Sequence, residues 1–337
     1  MSRTIVIFND GTGQHLNSKN PSNISKLFQS VIGEPADCSN ADYKKVDTTS
    51  NQLSFYIRGI GTEDLRRIDG SKDRPNFWQR IWDWFGDKAK TTAELATGSS
   101  IKDRVERTLR VIEENYNVGD RLILVGFSRG AASVRIVAGE LQRIKPGARV
   151  EYLLVFDTVY SVIGELEIRP GMKLKRFDET SLAPHVNSCD HLISGDEMRD
   201  MFPLTEISKR ENVRQILFAG SHSDVGGGNP SNALSDISLD FALRELRGRG
   251  ISISPNLPFV LRPDHKAAIT WDRFNGVGQT HFPRDVKKLT FVVHRSVIDR
   301  ANSSNSVSIA LAQLSTFEST GVGELIDVAQ IDSSFNL

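Results

Sequence analysis

Ser128 sits in Gly126-Phe127-Ser128-Arg129-Gly130, and a serine hydroxyl in a GxSxG pentapeptide is a candidate nucleophile. The pentapeptide alone is weak evidence, because glycine and serine are common enough to produce it by chance. Its flanks carry more. The apolar run Leu122 to Val125 leads in, and a helix rich in Ala and Val (Ala131, Ala132, Val134, Ile136, Val137, Ala138) leads out. Strand, sharp turn and helix together make a nucleophile elbow, in which two glycines remove the Cβ atoms that would block the turn. The helix start then offers backbone N–H groups to a developing oxyanion, with the Arg129 N–H as first donor. The bland alternative is a glycine-rich turn with an incidental serine.

A serine hydroxyl needs a base, and the chain has seven histidines. His222 is best placed, in Gly220-Ser221-His222-Ser223-Asp224-Val225-Gly226-Gly227-Gly228 just after the apolar run Gln215 to Phe218. It also follows the serine, as the order Ser, acid, His requires. His294, in Val292-Val293-His294-Arg295, is the reserve. The acid falls between them: Phe156-Asp157-Thr158-Val159 puts Asp157 at a strand end, where it would orient the imidazole and stabilise its protonated form. Asp157 as a cap or turn former, and His222 as an ordinary polar residue, are the alternatives. Asp224 competes for the acid's role, but two residues from His222 it suits loop support or a bound cation better.

Three further stretches bear on the site. Phe8-Asn9-Asp10-Gly11-Thr12-Gly13 follows the first apolar run, and such a turn can aim amides into a site, so Gly11 or a neighbour is the expected second oxyanion donor. It lacks the lysine of a phosphate loop and the spacing of a dinucleotide fingerprint, which argues against nucleotide binding. No cofactor is required by this chemistry, although Asp10, Asp157 and Asp224 would suit a divalent ion if the fold brought their oxygens together. Finally, Phe77 to Phe85 holds three of the four tryptophans, and helical spacing puts Trp78, Ile81, Trp82 and Phe85 on one face. That face suits a lid or a segment that touches a membrane surface, or equally a helix packed on the core.

Elements must hold these residues in place. Short continuous apolar runs recur at Thr4 to Phe8, Leu53 to Ile57, Arg121 to Val125, Tyr152 to Phe156, Arg214 to Phe218 and Leu289 to His294, with helical segments between them. Continuous runs are what strands buried on both faces of a parallel sheet look like. The expected fold is α/β and α/β-hydrolase-like, a mainly parallel central sheet with helices on both faces and insertions forming a cap. Ile24, Leu27, Phe28 and Val31 mark one helix, capped at Ser22 or Asn23, and Ile101, Val105, Leu109, Ile112 and Tyr116 mark another. The expected organisation is one catalytic domain over residues 1–300 with cap-like insertions near 62–100 and 160–212. A polar C-terminal extension over 301–337 follows it.

Composition narrows the partners. Forty-two basic residues balance forty-two acidic ones, so no net field draws the protein to nucleic acid. The two cysteines, Cys38 and Cys189, have neither metal-site spacing nor disulfide density. The start of the chain lacks the pattern of a signal peptide, and no apolar stretch reaches the ~20 residues of a membrane span, so the expected location is the cytoplasm. The expected partner is a lipid or other ester substrate.

Asn9-Asp10-Gly11-Thr12, Gly59-Ile60-Gly61-Thr62, Tyr116-Asn117-Val118-Gly119-Asp120, Gly126-Phe127-Ser128-Arg129-Gly130-Ala131, Phe156-Asp157-Thr158-Val159 and His222-Ser223-Asp224-Val225-Gly226-Gly227-Gly228, in that order, resemble an α/β-hydrolase family. That family includes type VI secretion phospholipase effectors of the first lipase class. Asp196-Glu197-Met198-Arg199 with Phe202, and His294-Arg295-Ser296-Val297, are similar to further signatures of it. The resemblance implies a triad of Ser128, Asp157 and His222 and hydrolysis of phospholipids or other lipid esters. For an effector it also implies delivery to a target cell by a secretion machine, and a cognate immunity or delivery protein. A small-molecule carboxylesterase or thioesterase is the alternative within enzymes, and a catalytically silent binding module the alternative outside them.

Overall fold

Along β1 (Thr4–Asn9) successive side chains enter two different cores. Ile5 and Ile7 pack on one side, with the helices α2 (Lys90–Asn115) and α3 (Arg129–Ile144), and Val6 and Phe8 pack on the other, with α1 (Asn23–Ser30) and α5 (Ser235–Gly248). The same alternation holds in β5 (Arg121–Phe127) and β6 (Tyr152–Phe156), where Leu122, Leu124, Leu153 and Val155 face the first core and Ile123, Val125, Leu154 and Phe156 the second. A strand covered on both faces must be apolar at every position, which is why these runs are continuous. Each such side chain taken fully out of water contributes about 1.5–3 kcal/mol.

A computed structural model of the chain describes residues 2–59, 90–160, 166–169, 172–174, 182–199, 202–270, 284, 292–304 and 325–327. The remaining strands are β2 (Glu34–Ala36), β3 (Tyr43–Asp47), β4 (Gln52–Ile57), β9 (Cys189–Ser194), β10 (Val213–Phe218), β11 (Val292–His294) and β12 (Leu325–Asp327). With β1, β5 and β6 they form one sheet in the order β12-β11-β10-β9-β6-β5-β1-β4-β3-β2. From β11 across to β4 neighbours run parallel, while β2, β3 and β12 pair antiparallel at the two margins. β7 (Leu166–Arg169) and β8 (Met172–Leu174) make a separate hairpin. The helices α4 (His222–Gly226) and α6 (Arg295–Ser304) complete the described elements. This is a doubly wound α/β arrangement, with helices on both faces of a mostly parallel sheet.

Three expectations change. The stretch near 160–212, expected as an insertion, supplies β9, a strand buried at every position between β6 and β10. Asp190, His191 and Ser194 had masked it. Asp190 accepts from Tyr152 Oη at 2.6 Å and from Arg214 Nε at 2.7 Å, its register partner on β10, so a charged residue is satisfied inside the sheet. At 62–100, residues 90–100 belong to α2, one helix with the segment from Ile101 onward, and residues 60–89, with Trp78, Trp82 and Phe85, lie outside the described residues. The boundary expected at 300 falls inside α6, and β12 beyond it joins the sheet. Among the described residues no helix is long and apolar enough to cross a membrane.

Removing the Asp190 carboxylate leaves the Tyr152 hydroxyl and the Arg214 guanidinium without their shared acceptor. Asp190→Ala should lower the unfolding free energy by about 3 kcal/mol, the low end for breaking a buried pair because Arg214 can turn to solvent. Urea unfolding measures it.

Candidate active site

The carboxyl ends of β1, β5, β6, β9 and β10 lie side by side, and Asp10, Ser128, Asp157, Glu197 and His222 follow them closely in sequence. Ligands of open parallel sheets bind at this edge. Ser128 follows β5 directly with φ 57° and ψ −123°, a backbone conformation that an L-residue adopts only where its surroundings force it. The force is close packing. A Cβ on Gly130 would stand 2.3 Å from Asn9 O, so α3 starts against the backbone at the end of β1. Ser128 N donates to Phe156 O at 3.0 Å, which ties the elbow to β6. The first-turn amides of α3, beginning with Arg129 N–H, have no intrahelical acceptor and face the serine's end of the helix.

Asp157 follows β6 with φ 40° and no exposure to water. Its Oδ2 accepts from His222 Nδ1 at 2.6 Å, and because a carboxylate only accepts, Nδ1 carries the proton. Ser194, at the end of β9, donates its N–H to Oδ1 at 2.9 Å and its Oγ–H to Oδ2 at 2.8 Å. Arg284 adds an ion pair, Nη1 to Oδ1 at 2.6 Å and Nη2 to Oδ2 at 3.1 Å. Burial alone would raise the Asp157 pKa, but Arg284 and the His222 hydrogen bond outweigh it and hold the carboxyl well below the usual carboxylate range.

His222 opens α4, a single turn at the end of β10. Ser221 precedes it as N-cap. Asp224 closes the turn, with Oδ2 accepting from Ser221 N at 3.1 Å and Thr270 N at 2.8 Å, and Oδ1 from Asn229 at 2.9 Å. Burial pushes the His222 imidazole below the ordinary histidine value, with Asp157 pulling it up. Its ring lies between Phe127 and Phe202, at centroid distances of 4.6 and 4.9 Å. The Phe127 ring is itself clamped: a Cβ on Gly11 would come within 2.6 Å of it and one on Gly226 within 1.9 Å, so both positions admit only glycine.

Gly11 does not play the part expected of it. Its N–H donates to Asp10 Oδ1 at 2.7 Å and is spent there. Asp10 is a buried anchor that also accepts from Ser22, Ser25 and Tyr56, at 2.6, 2.8 and 2.6 Å. Burial raises its pKa while these donors oppose the rise. The oxygens of Asp10, Asp157 and Asp224 are thus engaged by separate sets of protein donors. Among the described residues no group of three or more His, Cys, Asp or Glu could hold a metal ion. His294, the reserve base, stacks on Phe218 at 4.5 Å and bonds Ser296, on β11 with β10 and β9 between it and β6.

Four residues of the site were not picked out from sequence as parts of it. Glu197 Oε2 accepts from the His222 backbone N–H at 3.0 Å, and Arg199 pairs with the same carboxylate at 2.7 Å. Burial works against the charged form of Glu197, but Arg199 prevails and brings its pKa to about 2. Ser194 and Arg284 are the others. The Asp196-Glu197-Met198-Arg199 signature was the available signal for the first pair, while Ser194 hid in a strand that looked too polar and Arg284 in a stretch without periodicity.

The family of type VI secretion system phospholipase effectors, Tle1-like, catalytic domain, matches residues 3–145 and 140–245. The chain belongs to this family. Among solved structures it is similar to an uncharacterized protein from Pseudomonas aeruginosa (18% identity, 79% of this chain and 49% of that one, TM-score 0.46). It is also similar to the Tle1 effector bound to the VgrG spike of the type 6 secretion system (19%, 68% and 52%, TM-score 0.33) and to esterase PE8 (14%, 74% and 93%, TM-score 0.37). The chain covers about half the length of the first two. No curated protein matches it in sequence.

His191, on β9 beside Asp157, accepts from Thr158 N at its Nε2, and burial lowers its pKa to about 3. Unfolded, it titrates near 6.5, so between these values the unfolded chain holds the extra proton and stability rises with pH. The contribution is complete above about pH 6.5 and is lost as pH falls towards 3. His191→Gln should flatten the unfolding free energy between pH 4 and 6 by up to ~1.4 kcal/mol per pH unit. Chemical denaturation across that range gives the slope.

Proposed function

We propose that this domain hydrolyses carboxylic esters through an acyl-enzyme on Ser128, with a phospholipid or other lipid ester as substrate. The observation that carries this reading is the 2.6 Å His222–Asp157 hydrogen bond at the same sheet edge as the strained Ser128 elbow. Family membership supports the chemistry and the lipid substrate. Ser128 Oγ attacks the ester carbonyl as His222 Nε2 takes its proton. The tetrahedral oxyanion rests on the Arg129 N–H and, in place of Gly11, on the Thr12 N–H one residue along the same turn. His222 then gives the proton to the departing alcohol. Water repeats the sequence and frees the acid. Asp157 stays ionised throughout, holding Nδ1–H in place and stabilising the imidazolium. No step uses a metal ion. The domain extent of 1–300 is better drawn to include α6 and β12, since both pack with the sheet. Membership of an effector family supports delivery to a target cell, and with it a delivery partner and an immunity protein in the producing cell.

A fluorophosphonate probe should label Ser128 in the wild type and leave Ser128→Ala unlabelled. That variant should lose at least about 10³-fold in kcat on a short-chain phospholipid. Full retention of activity would sink the assignment. The base must be neutral to act, and its pKa is depressed below 6.5, so kcat/KM should hold level at neutral pH with its acid limb below pH 6.5. A limb centred above pH 7 in a pH–rate profile would contradict the buried His222 as base.

A further inference from the structure

Most arginines drawn into this structure have a clear partner for their charge. Arg284 meets Asp157, Arg199 meets Glu197, and Arg58 and Arg107 share Asp42. Arg129, the residue after the elbow serine, differs. Its Nη1 donates to the neutral Thr12 hydroxyl at 2.8 Å, its Nε is buried with no hydrogen-bond partner, and among the described residues no carboxylate reaches it. Burial pushes its pKa down to about 10, so at neutral pH it remains a cation, and no carboxylate among the described residues neutralises it. Thr12 belongs to the turn after β1, next to β5, so the guanidinium bridges the elbow to the turn on the oxyanion side of the site.

A guanidinium held by one Nη keeps its Nε and second Nη edge, the fork that receives two oxygens of a phosphate or carboxylate side by side. An unpaired, desolvated Nε–H costs free energy until an acceptor arrives, and an anion supplies two at once. We infer that the Arg129 side chain is an anion subsite that takes a charged oxygen group of the substrate next to the reacting ester, the phosphodiester when the substrate is a phospholipid. The inference rests on Ser128 as nucleophile, and it adds a reason for preferring charged over neutral lipid esters. The role of the Arg129 backbone amide is separate from that of its side chain.

The test uses the full chain with Ser128→Ala, so binding is read without turnover. Calorimetric titration with monomeric dihexanoyl phosphatidylglycerol and with dihexanoylglycerol, which has the same acyl chains and no charge, should show about tenfold or more tighter binding of the anion. Adding Arg129→Met should erase that difference, Arg129→Lys should keep part of it, and Thr12→Val, which removes only the neutral partner, should keep most. Equal affinity for both lipids in Ser128→Ala overturns the subsite. So does an equal loss for both lipids in Arg129→Met, which would make the side chain a brace for the Thr12 turn. Thermal midpoints of the variants identify a folding failure, in which case the Lys and Val variants decide. Loss of fluorophosphonate labelling in the wild type would instead strike at Ser128 and leave the binding comparison readable.

Discussion

A carboxylate with no exposure to water is expensive to keep charged, and Asp157 is kept charged by five donors from three parts of the chain. Ser194 reaches it only because β9 is the neighbour of β6, and His222 reaches it only because β10 comes next. Arg284 arrives from much later in sequence and neutralises the charge outright. The strand order on this side of the sheet is therefore also the order in which donors are delivered to one acid. Take the acid away and Ser194, Arg284 and His222 all lose their common acceptor.

A second pair of charges lies behind the first. The backbone of His222 is held by Glu197, Glu197 is held by Arg199, Arg199 stacks on Phe202 at 3.9 Å, and the Phe202 carbonyl receives Arg284. The circuit closes on itself. The imidazole is thus fixed through ring and main chain together, inside a set of two carboxylates and two guanidiniums whose charges cancel. A proton taken up by the ring adds one positive charge to a neutral surround, and the hydrogen-bonded Asp157 is the group best placed to stabilise it.

What could be read from sequence follows from how each feature is encoded. Strands buried on both faces announce themselves, and Tyr152 to Phe156 was legible to the residue for that reason. The cap of α1 was legible to within two residues, Ser22 or Asn23, since short polar caps carry a local signature, and it is Ser22 whose side chain accepts from Ser25 N at 3.1 Å. β9 was not, because its Asp190 is paired with Arg214 and Tyr152 and its His191 accepts from Thr158 N, partners that only the folded sheet supplies. Arg284 is the extreme case: 127 residues separate it from Asp157, and nothing around it in sequence advertises the contact. The turn at Gly11 is a different case, because the expected donor was Gly11 or a neighbour. Its turn was recognised, but which amide of a turn points inward depends on where its first N–H is spent, and here a neighbouring carboxylate takes it.

The Phe127 ring wedged between Gly11 and Gly226 makes three distant motifs one mechanical unit. The ring is a spacer of fixed thickness that sets how far the turn after β1 stands from the helix that begins with His222. Neither side can gain a methyl group unless the spacer shrinks. Relatives should therefore exchange these three positions together, and a chimera that grafts one relative's histidine helix onto another's elbow will seat properly only if the phenylalanine and both glycines come from compatible parents.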